Sequence, residues 1–242
     1  MNFLGYLKTT LKMNRGLSGL TIFEHRKIYT EWKYLCESKK TPLELELPWI
    51  TIISKKYLDD YFKNKLKPDV NIFEFGSGGS SLFFLRYSTK VVSIEHDKEW
   101  FGLVGRTIEQ KKITGWSGQL IVPELINNSS QIKLDASDPL HYYTTDENYL
   151  NYTFRNYASY IDNFPESYFD VVLIDGRSRP ACLYHSLNKV KKGGLLILDN
   201  AEREYYLSKE IIDKNDFKLI LSINSAIICL DAFSQTNIYI KR

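Results

Sequence analysis

The residues whose types and spacing point most directly to chemistry are two glycines and their neighbours. Gly76 and Gly78 lie in the run EFGSGGS at positions 74–80, which follows a short apolar segment. Glycine lets the backbone approach a ligand closely and accept unusual dihedral angles at such a turn. A helix that begins near Gly79 or Ser80 also points its N-terminal amides into the same crevice. The run therefore predicts a ligand-binding turn.

Two carboxylates accompany this turn. Glu95 closes the second apolar segment, where it is placed to accept hydrogen bonds from both ribose hydroxyls of an adenosine moiety. Glu74 precedes Gly76, where it is suited to hold the amino group of a ligand. A carboxylate at this position would repel a pyrophosphate and attract a positively charged ligand. The order strand, turn, helix, strand and acidic end is stronger evidence for such a ligand than the glycines alone.

Further polar residues follow two later apolar segments. Asp175 ends one of them, and Asp199 and Asn200 end the next. All three offer oxygen ligands of the kind that Mg²⁺ and Ca²⁺ prefer, so Asp175, Asp199 and Asn200 are candidate metal ligands. The alternative is that Asp199 and Asn200 cap the helix that follows, while Asp175 orients a substrate or a turn.

Two arginines flank the cleft that these strand ends would form. Arg177 and Arg179 follow Asp175 closely in the sequence. Guanidinium groups bind carboxylates and phosphates in a fork geometry, so both are candidates to bind a substrate anion. Equally, they could pair with Asp199 or Glu202 as part of the structure, and the sequence leaves both alternatives open.

The elements that must position these residues follow from the apolar patterns. Strands are predicted at 71–75, 90–95, 119–123, 169–174, 194–198, 217–223 and 237–241. Helices are predicted at 20–37, 55–66, 80–87, 98–112, 152–163, 180–190 and 202–213. Strands separated by helices imply right-handed crossovers and a largely parallel sheet. The last two strands have no helix between them, which predicts an antiparallel hairpin at one edge.

The chain divides into a helical extension over residues 1–47 and one α/β domain over residues 48–242. Within the extension, the alternating segment 43–47 is predicted to be extended, and Ser54 is the predicted N-cap of the next helix. The segment 124–168 is irregular and rich in Asn, Ser, Asp and Tyr. It is predicted to be mostly a long loop over the carboxyl edge of the sheet, a kind of loop that is often functional.

Composition limits the classes of protein. Hydrophobic residues make up 43% of the chain and charged residues 25%, which is typical of a soluble domain. No apolar run approaches the roughly 20 residues needed to cross a bilayer, and no cleaved signal peptide is expected. The three cysteines fit neither a disulfide framework nor a zinc site, so a cytoplasmic location is expected. The net charge of +3 is too small to argue for nucleic acid, so none is expected as a partner.

Four segments together resemble the class I S-adenosylmethionine-dependent methyltransferases. IFEFGSGGSS at 72–81 is similar to their motif I, and VVSIEHD at 91–97 to the acidic strand end that follows. FDVVLIDGR at 169–177 and KGGLLILDN at 192–200 are similar to the motifs of their fourth and fifth strands. The closest resemblance is to a bacterial branch with a Pro-Trp before the domain and an Asp-Gly-Arg after the fourth strand, and it covers residues 48–242.

The resemblance implies a Rossmann-like class I methyltransferase fold: a mostly parallel seven-stranded sheet with an antiparallel C-terminal strand and helices on both faces. It also implies S-adenosylmethionine as the cofactor, with Gly76 and Gly78 near its methionine part, Glu95 on its ribose and His96 beside its adenine. The predicted cofactor-binding residues are Glu74, Gly76, Ser77, Gly78, Ser80, Glu95, His96 and Asp175. The predicted catalytic residues are Asp175 and Arg177.

The expected reaction is methyl transfer to oxygen on a small molecule or glycan. This expectation depends on the set Asp175, Asp199 and Asn200, which resembles the Mg²⁺ site of catechol-type O-methyltransferases, although no lysine follows Asp175 as their base does. It depends also on the absence of the Asn/Asp-Pro-Pro-aromatic motif of enzymes that methylate amino groups of nucleic acids. Two alternatives stay open: an NAD-dependent oxidoreductase or epimerase, and a non-catalytic nucleotide-binding or partner-binding module of the same fold.

Overall fold

A computed structural model describes residues 1–16, 19–64, 70–126 and 134–242 of the chain. The strands are β1 (Asn71–Phe75), β2 (Lys90–Glu95), β3 (Trp116–Leu120), β4 (Glu124–Leu125), β5 (Tyr152–Thr153), β6 (Phe169–Ile174), β7 (Val190–Leu198), β8 (Phe217–Ala226) and β9 (Phe233–Lys241). The α-helices are α1 (Phe3–Met13), α2 (Ile22–Glu37), α3 (Pro42–Leu45), α4 (Ile52–Asn64), α5 (Gly79–Phe84), α6 (Lys98–Gln110), α7 (Arg155–Ser159) and α8 (Arg179–Ser186). None of the helices in these ranges is long and apolar enough to span a bilayer.

The described residues form a seven-stranded sheet with β1 near its centre, in the order β3-β2-β1-β6-β7-β9-β8. The strands from β3 to β7 in this order pair in parallel, whereas β9 runs antiparallel to both β7 and β8. Because the chain passes from β1 to β2 on one side and later returns to β6 on the other, the strand order reverses beside β1. Such a reversal opens a crevice at the carboxyl ends of the strands. The predicted sheet, with its antiparallel C-terminal strand, is confirmed.

Both faces of the sheet are covered by helices, because side chains alternate along each strand. On one face, Ile72 of β1 shares a core with Trp32 of α2. On the other face, Phe73 of β1 shares a core with Tyr157 of α7 and Leu183 of α8. The prediction of helices on both faces is therefore confirmed.

The N-terminal helices pack against the C-terminal hairpin. The indole Nε1 of Trp32 donates to the carbonyl oxygens of Ile227 and Leu230, each at 3.0 Å. The Asn14 side chain donates to the carbonyl oxygen of Asn224 at 2.8 Å. These bonds join the start of the chain to its last two strands, and the domain boundary at residue 47 stays a prediction.

The segment 43–47 is not extended, so that prediction is wrong. It lies largely in the short helix α3, whose capping box joins Thr41 and Glu44. The Thr41 hydroxyl accepts from the Glu44 N–H at 3.2 Å, and the Glu44 carboxylate accepts from the Thr41 N–H at 2.7 Å. A proline at the first helical position adds to this signal because its φ already suits a helix. The alternation of leucine and glutamate is a weaker determinant than these caps.

Ser54 is not the N-cap of α4, because that helix already begins at Ile52. The Ser54 side chain is buried in the first turn, where it accepts a hydrogen bond from the Thr51 hydroxyl at 2.8 Å. The predicted end of this helix near residues 66–68 lies outside the described residues.

The helix predicted at 202–213 is wrong. Only a short 3₁₀ turn, Glu204–Tyr206, forms there among the described residues. The Glu202 carboxylate instead accepts from the Ser234 hydroxyl and from the Gln235 N–H on β9, each at 2.9 Å. Bonds to a distant strand therefore determine the path of this segment.

Pairing lengthens several strands beyond their apolar segments. β3 begins at Trp116 because this residue pairs with Val91 of β2, so the predicted start at residue 119 is late. β7 and β9 likewise begin before the predicted positions 194 and 237. Ladder hydrogen bonds with neighbouring strands extend a strand through residues whose own pattern does not indicate one.

The irregular segment 124–168 carries more structure than the predicted loop. It contains β4 and β5, which pair with each other in antiparallel fashion, and α7. Short 3₁₀ turns form at Pro139–His141 and Glu147–Tyr149. Residues 127–133 lie outside the described residues.

Candidate functional site

The strand register brings the predicted site residues to one edge of the sheet. Phe75, the last residue of β1, pairs with Ile94 of β2 and with Ile174 of β6. The residues that follow these positions are Gly76, Glu95 and Asp175, so the three meet at the carboxyl edge. Ile174 pairs in turn with Leu198 of β7, which places Asp199 beside them. The structure thus gathers residues that are far apart in the sequence.

The glycine turn adopts a backbone that only glycine accommodates without strain. Gly76 has a φ of +103° and Gly78 a φ of +154°. Both the backbone N–H and the hydroxyl of Ser77 donate to the Glu95 carboxylate, at 3.1 and 3.2 Å. From α6, the indole Nε1 of Trp100 donates to the Ser77 carbonyl oxygen at 2.7 Å. The turn is therefore held in place by side chains from the next strand and the next helix.

Glu95 is a buried, charged acceptor. Its second oxygen accepts from the backbone N–H groups of His96 and Asp97 at 2.7 and 3.0 Å, and His96 Nδ1 lies 2.7 Å away from the same oxygen. Burial opposes ionisation, but hydrogen bonds from His96 and from the Asp97 N–H outweigh it and lower the pKa of Glu95. The carboxylate therefore stays negative at neutral pH.

Glu74 lies beneath the turn and is fully buried. The hydroxyls of Ser81 and Ser93 donate to its Oε1, and the Ser81 hydroxyl also accepts from the Gly78 N–H at 3.0 Å. Burial raises the pKa of Glu74 to about 7, although hydrogen bonds from Ser80 and these two serines oppose the shift. Glu74 supports the turn from below, and its predicted bond to a ligand's amino group stays a prediction.

Asp175 and Asp199 share one buried guanidinium. Arg179 Nη2 donates to Asp175 Oδ1 at 2.9 Å, while Nη1 donates to the Asp199 carbonyl oxygen and lies 3.7 Å from Asp199 Oδ2. The Thr236 hydroxyl donates to Asp199 Oδ1 at 2.7 Å. Burial, and then the charge of Asp199, raise the pKa of Asp175 well above its ordinary value, although Arg179 opposes this. Of the two alternatives for Arg179, the structure has the pairing with Asp199.

This network does not fit a metal ion, so Mg²⁺ is not supported. The cation that Asp175 and Asp199 contact is the Arg179 guanidinium. The Asn200 amide instead donates to the Ser234 hydroxyl of β9 at 2.9 Å. Across the described ranges, no group of three or more His, Cys, Asp or Glu side chains could hold a metal. The alternative that Asp199 and Asn200 cap an α-helix is also wrong, since none begins at this point.

Part of the irregular segment lies across this edge. Asp146 Oδ2 lies 2.8 Å from Arg177 Nη2, so an ion pair joins the segment to the residues after β6. Farther along, the Tyr149 ring contacts the His96 ring at a centroid distance of 5.3 Å. The segment therefore contacts both the Glu95 side and the Arg177 side of the crevice.

A polar cavity of about 500 Å³ lies on the Arg177 side, and we name it the arginine cavity. It opens between the irregular segment, the end of β6 and the segment after β7. Residues that line it include Tyr143, Asp146, Arg177, Asn200, Arg203 and Tyr205. The backbone of Gly176 also lines it, and a Cβ at Gly76 would lie 3.7 Å from the Gly176 nitrogen. The glycine turn and the arginine cavity are thus separated by one strand of backbone.

Sequence reasoning missed two aromatic residues of the site. Trp100 covers the glycine turn, and its ring would lie 3.3 Å from a Cβ at Gly78. Tyr157 is buried, and its hydroxyl packs against Gly176 so closely that a Cβ there would overlap it. This hydroxyl has no hydrogen-bond partner among the described residues. The density of aromatic residues near position 157 was the signal that could have pointed to Tyr157.

Comparisons with known proteins identify the fold. No family model and no curated protein matches the chain. The solved O-methyltransferase from Bacillus cereus in complex with SAH (S-adenosylhomocysteine) is 13% identical, with a TM-score of 0.52 over 89% of this chain and 100% of that one. The rRNA methylase from Streptococcus thermophilus is 13% identical, with a TM-score of 0.50 over 77% of this chain and 95% of that one. The chain has the Rossmann-like fold of the class I methyltransferases.

The second of these matches corrects the expected partners. A small-molecule or glycan substrate, with nucleic acid excluded, was expected from the modest net charge. A protein of the same fold and similar length acts as an rRNA methylase, so that expectation is wrong. Net charge describes the whole surface, whereas an acceptor is recognised by the local charges of one cleft.

Proposed function

We propose that the chain binds S-adenosylmethionine at the glycine turn and transfers its methyl group to an acceptor in the arginine cavity. The observation that carries this proposal is the buried, charged Glu95 held against the turn by Ser77. A carboxylate at the end of β2 is suited to accept hydrogen bonds from two ribose hydroxyls, since each of its oxygens has two lone pairs. The fold shared with the methyltransferases supports the same conclusion.

Glu95 can bind a ribose without losing its own orientation. Three of its donors are backbone N–H groups, from Ser77, His96 and Asp97. The other two contacts, with the Ser77 hydroxyl and the His96 ring, come from side chains that can rotate away. Ribose hydroxyls would replace these side-chain contacts while the backbone donors keep the carboxylate in place. His96 would then lie beside the adenine, next to the Tyr149 ring.

The positions of the two sites suit methyl transfer. The reaction is an in-line displacement at a sulfonium, so its rate depends mainly on aligning the acceptor with the methyl group. The glycine turn would hold the methionine part of the cofactor, and the arginine cavity begins on the other side of Gly176. The short distance between the turn and the cavity supports the proposal that donor and acceptor meet there.

We assign Asp175 and Arg177 as catalytic residues in this proposal, with oxygen as the acceptor atom. Burial and the charge of Asp199 raise the pKa of Asp175, which makes its carboxylate a stronger base than an exposed one. It would take the proton that a hydroxyl acceptor loses. Arg177, at the cavity wall, would orient the acceptor once its bond with Asp146 is exchanged for one with the substrate.

Calorimetric titration tests the cofactor. Wild-type protein should bind S-adenosylmethionine and S-adenosylhomocysteine, and Glu95→Gln should weaken both by about tenfold or more because it replaces a charged acceptor. The matched control is Glu109→Gln, which changes an exposed residue of α6 and should leave the affinity unchanged. Binding of NAD in place of S-adenosylhomocysteine would favour the oxidoreductase alternative, and binding of neither would favour a non-catalytic module.

A further inference from the structure

The arginine cavity contains one guanidinium without a counter-charge. Arg179 is paired with Asp175 and Asp199, and Arg177 is paired with Asp146. Among the ion pairs of the described residues, none involves Arg203, although it lines the same cavity. An arginine is always charged at physiological pH, so this positive charge is available to a ligand.

Neighbouring residues keep Arg203 free of intramolecular partners. The adjacent Glu202 turns its carboxylate away from the cavity, to the Ser234 hydroxyl and the Gln235 N–H of β9. This carboxylate is the nearest in sequence that could have neutralised Arg203 from the cavity side. The same two bonds that prevent a helix at 202–213 therefore leave the arginine unpaired.

Tyr206 fixes the position of this guanidinium. Arg203 Nη1 donates to the Tyr206 hydroxyl at 3.0 Å, and the guanidinium carbon lies 5.9 Å from the centroid of the Tyr206 ring. Arg179 lies over the same ring at 5.5 Å. A guanidinium held by one nitrogen keeps further N–H donors for a ligand, and a fixed group loses less entropy when a ligand binds.

We propose that the methyl acceptor carries a phosphate or carboxylate group, and that Arg203 binds this oxyanion inside the arginine cavity. The inference rests on the proposed function, since it assigns the cavity to the acceptor. Arginine suits planar or tetrahedral oxyanions because its fork can donate two parallel hydrogen bonds. Asn200 and Tyr205, which also line the cavity, add polar side chains beside Arg203. A volume of about 500 Å³ is sufficient for a group of nucleotide size.

The first test uses small oxyanions on protein saturated with S-adenosylhomocysteine. Inorganic phosphate and benzoate are titrated into wild type, Arg203→Gln and the matched control Arg106→Gln, an exposed arginine of α6. We expect at least one anion to bind wild type and Arg106→Gln equally, and to bind Arg203→Gln about tenfold more weakly or worse. Equal binding by all three proteins, or no binding of either anion up to tens of millimolar, would overturn the inference.

The same experiment separates the two hypotheses. Wild-type protein that does not bind S-adenosylhomocysteine contradicts the proposed function itself. Protein that binds S-adenosylhomocysteine but shows no role for Arg203 contradicts only the inference. Thermal unfolding of Arg203→Gln should match wild type, which shows that a weaker anion affinity does not come from misfolding.

A further comparison identifies the source of the oxyanion. Uridine 5′-monophosphate should bind more tightly than uridine, and this difference should vanish in Arg203→Gln. A short single-stranded oligouridylate is then compared with the mononucleotide. Tighter binding of the oligonucleotide assigns the phosphate to a nucleic acid, and equal or weaker binding assigns it to a free acceptor.

Discussion

Arg179 donates from Nη2 to Asp175 Oδ1 at 2.9 Å, and the same guanidinium donates to the carbonyl oxygen of Asp199. This one side chain joins the ends of β6 and β7 at the edge where the site lies. It occupies the position in which the sequence predicted a divalent metal. The charge of the two carboxylates is therefore balanced from within the chain.

Replacing Arg179 by Met should destabilise the protein by about 3 kcal/mol or more, because two buried carboxylates lose their counter-charge. Urea unfolding measures the change in free energy, with Arg106→Met on the exposed surface of α6 as control. Adding Asp175→Asn to Arg179→Met should recover part of the loss. If Arg179→Met is as stable as Arg106→Met, the ion network does not stabilise the strand ends.

Metal ions should have no effect on cofactor binding. We expect the affinity for S-adenosylhomocysteine to be the same in MgCl₂ and in EDTA, because the guanidinium already neutralises Asp175 and Asp199. Calorimetry under both conditions measures this. A higher affinity in MgCl₂ that Asp199→Asn removes would show that a metal displaces Arg179.

Glu74 should make stability depend on pH. Its pKa is about 7 in the folded protein and 4.5 without burial, so the folded state holds the proton more tightly. The stabilising contribution is complete below pH 4.5 and is lost as pH rises through 7, a total of about 3 kcal/mol. Glu74→Gln keeps a neutral side chain at every pH and should not show this loss.

The measurement is urea unfolding of wild type and Glu74→Gln at several pH values between about 5 and 8. The stability of the variant relative to wild type should increase across this range. Glu109→Gln, an exposed residue of α6, is the control and should run parallel to wild type. Parallel curves for Glu74→Gln as well would contradict the raised pKa.

Gly79 is in direct contact with the backbone of the N-terminal segment. A Cβ at this position would overlap the carbonyl oxygen of Leu47 and would lie 2.5 Å from that of Pro42. Gly79→Ala should therefore destabilise the protein by about 2 kcal/mol and weaken S-adenosylhomocysteine binding, because the segment cannot pack on the turn. The control is Gly102→Ala in α6, where only the flexible end of Arg106 is near, at 3.2 Å.

The two glycine variants should differ in sign. Gly102→Ala should be neutral or stabilising by up to about 1 kcal/mol, since alanine favours a helix over glycine. Thermal or urea unfolding compares the two. Equal stability for both variants would mean that the contact between Gly79 and the N-terminal segment does not form.

Trp100 should contribute to cofactor binding more than to stability. Trp100→Phe removes the indole donor to the Ser77 carbonyl oxygen, which lies 2.7 Å away. We expect the affinity for S-adenosylhomocysteine to fall by about fivefold, the effect of one hydrogen bond that orders the turn. Trp49→Phe is the control because that residue is 56% exposed. Identical affinities for the two variants would show that the turn does not need Trp100.

Much of the sheet was predictable because its determinants are local. The strands at 71–75, 90–95 and 169–174 have the predicted bounds, since each is a short apolar segment between polar or glycine residues. The capping box of Thr41 and Glu44 is also a local signal, and it was available in the sequence although the leucine pattern was followed instead. The absent helix at 202–213 is different, because Glu202 is bound to a strand more than thirty positions later.

The sequence by itself determined the order of the elements and the placement of Gly76, Glu95 and Asp175 at strand ends, because apolar runs and glycines have local conformational preferences. Only the tertiary structure decided which charges meet. Arg179 pairs with Asp175 and Asp199 across two strands, while Arg203 is left unpaired in the same cavity. Electrostatic interactions fall off with distance in space and are independent of distance along the chain, so the partner of a charged residue is known only once the strands are assembled.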